Sequence, residues 1–226
     1  MSEKINMQEL GDDHVGSSVE TPIRKNAFDI SDAEKITKIS GHFKEIMQTL
    51  GLDLTDDSLG GTPERVAKMF VEEIFSGLNP ANEPSTSLFE NTYGYNEMLI
   101  EKDIELYSYC EHHFVPIIGK VHVAYIPNEN VVGLSKINRY VQHFGKRPQV
   151  QERLTRQIVA KMQEVLGTEN VCCVIEAKHL CVNMRGVKDS RCSTITAEYG
   201  GKFKEAQTKQ EFLNHINGNS NPTGDE

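Results

Sequence analysis

Apolar positions recur at helical spacing over residues 32–50, where Ile36, Ile39, Phe43, Ile46, Met47 and Leu50 share one face. Ser31 or Asp32 stands where such a helix is capped, and Gly51 where it stops. A second helical stripe runs through Val66, Met69, Phe70, Ile74, Phe75 and Leu78. It follows Thr62-Pro63-Glu64, in which threonine caps, proline fits the first turn and glutamate meets the positive end of the dipole. Pro80 and Pro84 mark a connection. From about Met98 the period shortens to two. Residues 98–108 read as extended, and 117–126 as a strand with Val121, Val123 and Tyr125 on one face. Two helices are predicted next, one capped by Ser135 with Ile137, Tyr140, Val141 and Phe144 inward, the other over 149–166. Residues 170–181 read as a strand on which His179 and Cys181 point to the same side. A Thr-rich strand over 191–199 and a helix over 202–216 complete the chain. Two strands, two helices and two strands make an α+β unit with an antiparallel sheet.

The pattern divides the chain into a flexible polar arm over 1–30, a helical region over 31–92, the α+β domain over 93–216 and a disordered tail over 217–226. The chain has 226 residues, 38% of them hydrophobic and 25% charged, which is enough for a packed core. Its net charge of −9 argues against a general nucleic-acid binder, which needs a basic face to neutralise phosphates. No apolar run approaches the roughly 18 residues of a membrane span. A polar N-terminus without an apolar core reads as no secretory signal, and five cysteines without a regular framework read as thiols in a cytoplasm.

The chemistry concentrates in Tyr109-Cys110-Glu111-His112-His113-Phe114. Cys110 and His113 form a Cys-x-x-His pair, and the chain returns with His179-Leu180-Cys181. Zinc favours about four such ligands in structural sites, and three plus an open position in catalytic ones. Cys110, His113 and Cys181 therefore suggest an open zinc site, in which water becomes nucleophilic near neutral pH. Spacing alone leaves the two cysteines open to either reading, ligands or buried thiols. Cys172, Cys173 and Cys192 read as buried apolar residues. No phosphate-binding loop, His-Glu-x-x-His helix or zinc-deaminase signature is present.

With these residues assembled, the chain resembles the GTP cyclohydrolase I family. The resemblance rests on Gly61-Thr62-Pro63-Glu64-Arg65-Val66-Ala67-Lys68-Met69, on Cys110 to Phe114, and on Gly133-Leu134-Ser135-Lys136-Ile137-Asn138-Arg139. It continues through Arg147 to Thr155 and His179 to Gly186. The family implies the tunnelling fold, a four-stranded antiparallel sheet with helices on one side, here preceded by an N-terminal helical region. It also implies a homodecamer of two stacked pentamers with active sites between subunits. The implied reaction converts GTP and water to 7,8-dihydroneopterin triphosphate and formate, the first step of tetrahydrofolate and pterin biosynthesis.

Carried onto this sequence, the family's zinc ligands are Cys110, His113 and Cys181. His112 protonates N7 of guanine, His179 assists near the ribose and Ser135 serves the sugar hydroxyls. Glu152 accepts from the guanine N1 and 2-amino donors, with Gln151 beside it. Lys136, Arg139 and Arg185 bind the triphosphate, joined by Arg65 from a neighbouring subunit. Two other readings stand against this one. A nitrile reductase of the same fold would use a cysteine nucleophile and no zinc trio. A non-enzymatic nucleotide-binding protein would carry a structural zinc with a fourth protein ligand.

Overall fold

The structure, a computed structural model, describes residues 18–218. The expected arm lies outside the described residues as far as residue 17, as does the expected tail from residue 219. Helix α1 (Asp32–Thr49) starts where the pattern places it, with the Ser31 side chain accepting from Glu34 N at 3.2 Å. Its end turns through Gly51 at φ +86°, a conformation glycine adopts without cost. A short turn, α2 (Asp57–Gly60), leads into α3 (Thr62–Lys68). Gly61, not Thr62, occupies the N-cap of α3; the Thr62 hydroxyl instead accepts from Arg65. The second apolar stripe does not stay α-helical. Residues Met69–Ile74 form a π-helical turn, followed by the 3₁₀ turns Ser76–Leu78 and Pro80–Asn82.

The sheet is built on β2 (Leu99–Cys110) and β3 (Pro116–Tyr125), after a short β1 (Leu88–Glu90) that pairs with β4 (Asn130–Val132) in a separate ribbon. Helix α4 (Leu134–Gly145) and helix α5 (Gln151–Leu166) flank a two-residue strand, β5 (Pro148–Gln149). Strand β6 (Val171–His179) runs into a single helical turn, α6 (Leu180–Asn183), and β7 (Thr194–Tyr199) returns alongside. A 3₁₀ turn (Gly201–Lys204) and α7 (Ala206–Asn217) finish the described chain. The strand order is β5-β2-β3-β6-β7. The four long strands are antiparallel, as expected; β5 adds a parallel pairing at Tyr109 and Cys110.

Alternation along the strands separates two cores. Leu106, Val121, Val123, Cys173 and Ile175 pack with Ile137, Tyr140, Leu154, Ile158 and Met162 of α4 and α5. Ala124, Cys172 and Val174 point the other way, onto Phe203 and Phe212. So α4 and α5 lie on one side, while the last helix covers part of the opposite face. Several boundaries differ from the periodic reading. The helix predicted from 149 begins at Gln151, because Pro148 and Gln149 pair with β2. Ser135 lies inside the first turn of α4, whose N-cap is Gly133. The last strand begins at Thr194, after a turn at Ser190 and Arg191 and irregular chain through Cys192 and Ser193. Cys192 is exposed, not buried.

Candidate active site

The end of β2, the turn after it and the end of β6 meet at one place, because β2 and β6 both pair with β3. Cys110 is the last residue of β2, and its carbonyl accepts from Phe114 N at 2.8 Å, closing a tight turn. Phe114 takes φ +52°, uncommon outside glycine and of the kind that collects at functional sites. The turn brings His113 back over Cys110. On the other side β6 stops at His179, and the helical turn α6 swings Cys181 towards the same point. Cys181 therefore reaches the site by a chain turn, and the simple strand alternation expected for it does not hold.

Cys110, His113 and Cys181 form a cluster whose ligand atoms lie within 4.8 Å of one another. Cys110 Sγ is 3.7 Å from His113 Nδ1. Two ligands at about 2.3 and 2.0 Å from a tetrahedral zinc stand roughly 3.6 Å apart, so the Cys110–His113 pair fits such an ion in spacing and the three residues fit it in type. Burial and the neighbouring Cys110 push the Cys181 thiol up to about 11. Burial, then Arg185 and His112, holds His113 below the usual imidazole value, which favours the neutral ring that a metal requires.

His112 sits beside this group rather than in it. Its Nδ1 is 3.7 Å from Cys110 Sγ, and its Nε2 is 3.9 Å from Glu111 Oε1. Arg185 Nη1 lies 3.0 Å from His113 Nε2. His179 Nε2 is 2.7 Å from Gln151 Oε1. Burial lowers the His179 pKa, and the Glu152 carboxylate opposes that shift, so Glu152 acts electrostatically on the ring. Gln151 is buried, with its amide nitrogen turned to Ile175 O, Thr194 O and Thr196 Oγ1. Glu152, the next residue, is exposed.

The remaining candidates lie elsewhere on the chain. Ser135 and Arg139 are exposed on α4. Lys136 is buried, its Nζ 3.0 Å from Ser85 Oγ. Arg65 is exposed on α3 and donates to Ser58 O and Thr62 Oγ1. Among the described residues, none of these hydrogen bonds links Lys136 or Arg65 to the cysteine–histidine cluster. One pair escaped the sequence reading altogether: Arg153 and Glu111, joined at 2.6 Å beside the cluster. Its signal was present in Gln149, Arg153 and Gln157, polar residues at four-residue spacing that all prove buried. A cavity of about 900 Å³ adjoins this pair, walled by Glu111, His112, Phe114, Phe75 and the segment 18–28.

Comparison with known proteins gives a consistent result. The family model described as GTP cyclohydrolase I matches residues 39–217. A protein of Flavobacterium johnsoniae named GTP cyclohydrolase 1 is 62% identical over 210 residues, covering 93% of this chain and 94% of the relative. Relatives of the same name from Enterobacter sp. (strain 638) and Salmonella arizonae are 53% and 52% identical over 203 residues, covering 89% of this chain and 91% of each.

Proposed function

The chain belongs to the GTP cyclohydrolase I family and is an enzyme of that type; from that premise we propose that it opens GTP at the Cys110–His113–Cys181 group. The reaction takes GTP and water to 7,8-dihydroneopterin triphosphate and formate. Two hydrolytic steps consume water, and closure of the pterin ring returns one molecule of it. The observation that carries the assignment is the cluster of three soft ligands with a second imidazole, His112, against the Cys110 sulfur. Zinc is the metal we assign to it. When bound, zinc supplies Lewis-acid activation of water.

The chain's own residues then divide the work. His112 hands a proton to guanine N7, making C8 electrophilic; an imidazole can give and take protons near neutral pH. Glu111 Oε1 stands 3.9 Å from His112 Nε2. His179 serves the ribose as it opens, held by Gln151, and the exposed Ser135 hydroxyl serves the sugar hydroxyls. Glu152 accepts from guanine N1 and its 2-amino group. Lys136, Arg139, Arg185 and Arg65 bind the triphosphate by charge-assisted hydrogen bonds.

The cationic residues on α3 and α4 act in a site completed between subunits. We assign a homodecamer of two stacked pentamers. Strand β7 has one neighbour in the sheet, and β2 meets β5 only at Tyr109 and Cys110, so two strand edges stand ready for pairing. Ile46 and Leu50 of α1, and Tyr107, Ile118 and Ile195 of the sheet, expose apolar surface that such packing would cover. No described helix is long and apolar enough to cross a membrane. A metal held by thiolates calls for a reducing compartment, and we place the enzyme in the cytoplasm on that ground.

The test is to mix purified protein with GTP and follow pterin absorbance and formate, with and without a strong chelator. Equal amounts of both, lost with chelator and restored by zinc, are expected. A zinc-loaded, folded oligomer that yields neither overturns the assignment.

A further inference from the structure

We infer that Arg153 is a positioning residue, which sets the Cys110–His113 turn through a two-pronged grip on Glu111 and binds the segment 18–21 into the same clamp. The inference rests on the proposed function for the zinc at the cluster and for what the turn is used for. Arg153 Nη1 lies 2.6 Å from Glu111 Oε2, and Nη2 lies 3.2 Å from Oε1. The third nitrogen, Nε, donates to Ser18 O at 2.8 Å. All three guanidinium nitrogens are therefore engaged, and the side chain is only 3% exposed. One helical turn further along α5, Gln157 donates to Glu20 Oε2 at 2.7 Å, and Thr21 is buried nearby.

Glu111 is the residue between the cluster's Cys110 and the proposed proton donor His112. Its backbone is fixed as well, since Glu111 N donates to Gln149 O at 3.0 Å. The turn is thus held at two points: by main chain to β5 and by side chain to α5. A buried ion pair contributes little net stability, because desolvating both charges offsets their attraction. What a fork-on-carboxylate pair does supply is a fixed direction, since its two parallel bonds define a plane. Here that plane orients the carboxylate that stands 3.9 Å from His112 Nε2. Arg153 stands behind Glu111 and acts on the turn through that carboxylate.

The test uses full-length, zinc-loaded protein. Arg153→Lys keeps the charge but cannot present a fork, and Glu111→Gln keeps the shape but removes the charge. Each variant should surrender zinc to a chromogenic chelator about 10- to 100-fold faster than the parent, the usual scale for losing a group that orients metal ligands. Each should lower kcat while leaving the KM for GTP unchanged. The double variant should lose no more than the worse single one, because the two residues act as a unit. Parental zinc release and parental kcat in both single variants overturn the inference. So does a lower melting temperature with parental zinc release, which would mark the pair as structural only. Zinc release is read without GTP, so a parent that fails to turn over GTP leaves this outcome separately legible.

Discussion

Gln151 and His179 are joined side chain to side chain, and the direction of that 2.7 Å bond is fixed by what surrounds the glutamine. The Gln151 amide nitrogen is turned to Ile175 O, Thr194 O and Thr196 Oγ1. Thr155 Oγ1 donates to Gln151 O, which leaves Thr196 to donate to Thr155 at 2.6 Å and to accept from Gln151. Gln151 Oε1 is then the acceptor, and His179 Nε2 carries the proton. The neutral ring keeps its lone pair on Nδ1, so any proton His179 takes up arrives there.

The side chain of Gln151, expected among the guanine-binding groups, holds its oxygen against His179. Gln151→Ala is expected to lower kcat by about 10- to 100-fold with little change in the KM for GTP, by the measure of groups that orient a catalytic imidazole. It should also cost roughly 1–3 kcal/mol of stability, through the carbonyls left without donors. Nitrogen-resolved NMR should show the Nε2–H form of His179 in the parent and a mixture in the variant. A raised KM with unchanged kcat would instead assign the side chain to substrate.

Zinc content should follow the cluster and not the cysteine count. Cys110→Ala and Cys181→Ala each leave two of three protein ligands, and bound zinc, measured on purified protein, is expected to fall to a small fraction of the parent's. Cys192→Ala should keep both zinc and activity, because Cys192 is exposed and stands outside the cluster. Full zinc in the Cys181 variant would remove that residue from the ligand set.

His143 gives the fold a pH dependence of known sign. Burial and the neighbouring Arg147 push its pKa down from 6.5 to about 4, with Glu83 opposing. Its Nε2 lies 2.7 Å from Arg147 Nη2, so the neutral ring accepts a hydrogen bond that the charged ring cannot. Below about 6.5 the unfolded chain takes up a proton that the folded chain refuses until about 4. Stability from this group is complete above that window and is lost as pH falls through it. Urea midpoints measured between these limits should decline with falling pH, and His143→Gln should flatten the decline. An unchanged slope in the variant would clear His143 of the effect.

Glu152 is expected to decide which base the enzyme accepts. Its carboxylate is exposed at the start of α5 and close enough to His179 to perturb it. Glu152→Gln replaces an acceptor for two guanine donors with a group that offers one oxygen and an unwanted donor. The KM for GTP should rise by on the order of ten- to a hundredfold, the range for a hydrogen bond to a charged group. Discrimination against inosine triphosphate, which lacks the 2-amino group, should narrow. Equal KM values in parent and variant would sink the assignment.

What the sequence disclosed follows from how locally each feature is encoded. Cys110 and His113 sit within one turn of chain, so their pairing shows in the spacing. The two long hairpin partners β2 and β3 show in period two, and α1 in its stripe and Ser31 cap. The turn at Leu180 did not show, because Cys173, Ile175, Ala177, His179 and Cys181 keep strand parity across the point where the strand ends. Nor did the π-helical turn at Met69–Ile74, since one added residue per turn barely disturbs an apolar stripe. Arg153 was invisible as a buried group because an arginine in the first turn of a helix ordinarily points to water. Only the carboxylate of Glu111, brought there by tertiary folding, gives it a reason to be inside.

Arg65 tests the proposed sharing of sites between subunits. Its Nη2 donates within its own corner of the chain, to Ser58 O and Thr62 Oγ1. If it serves the triphosphate, the site it serves belongs to a neighbour. Arg65→Ala and Cys110→Ala should then be inactive alone, the first for want of a phosphate ligand and the second for want of metal. Denatured together and refolded as mixed oligomers, they should recover activity. A site drawing one residue from each of two subunits finds both intact in roughly a quarter of random pairings, so recovery should approach that fraction of the parent. Two residues confined to one subunit would give no recovery at all, since every subunit in the mixture carries one lesion or the other.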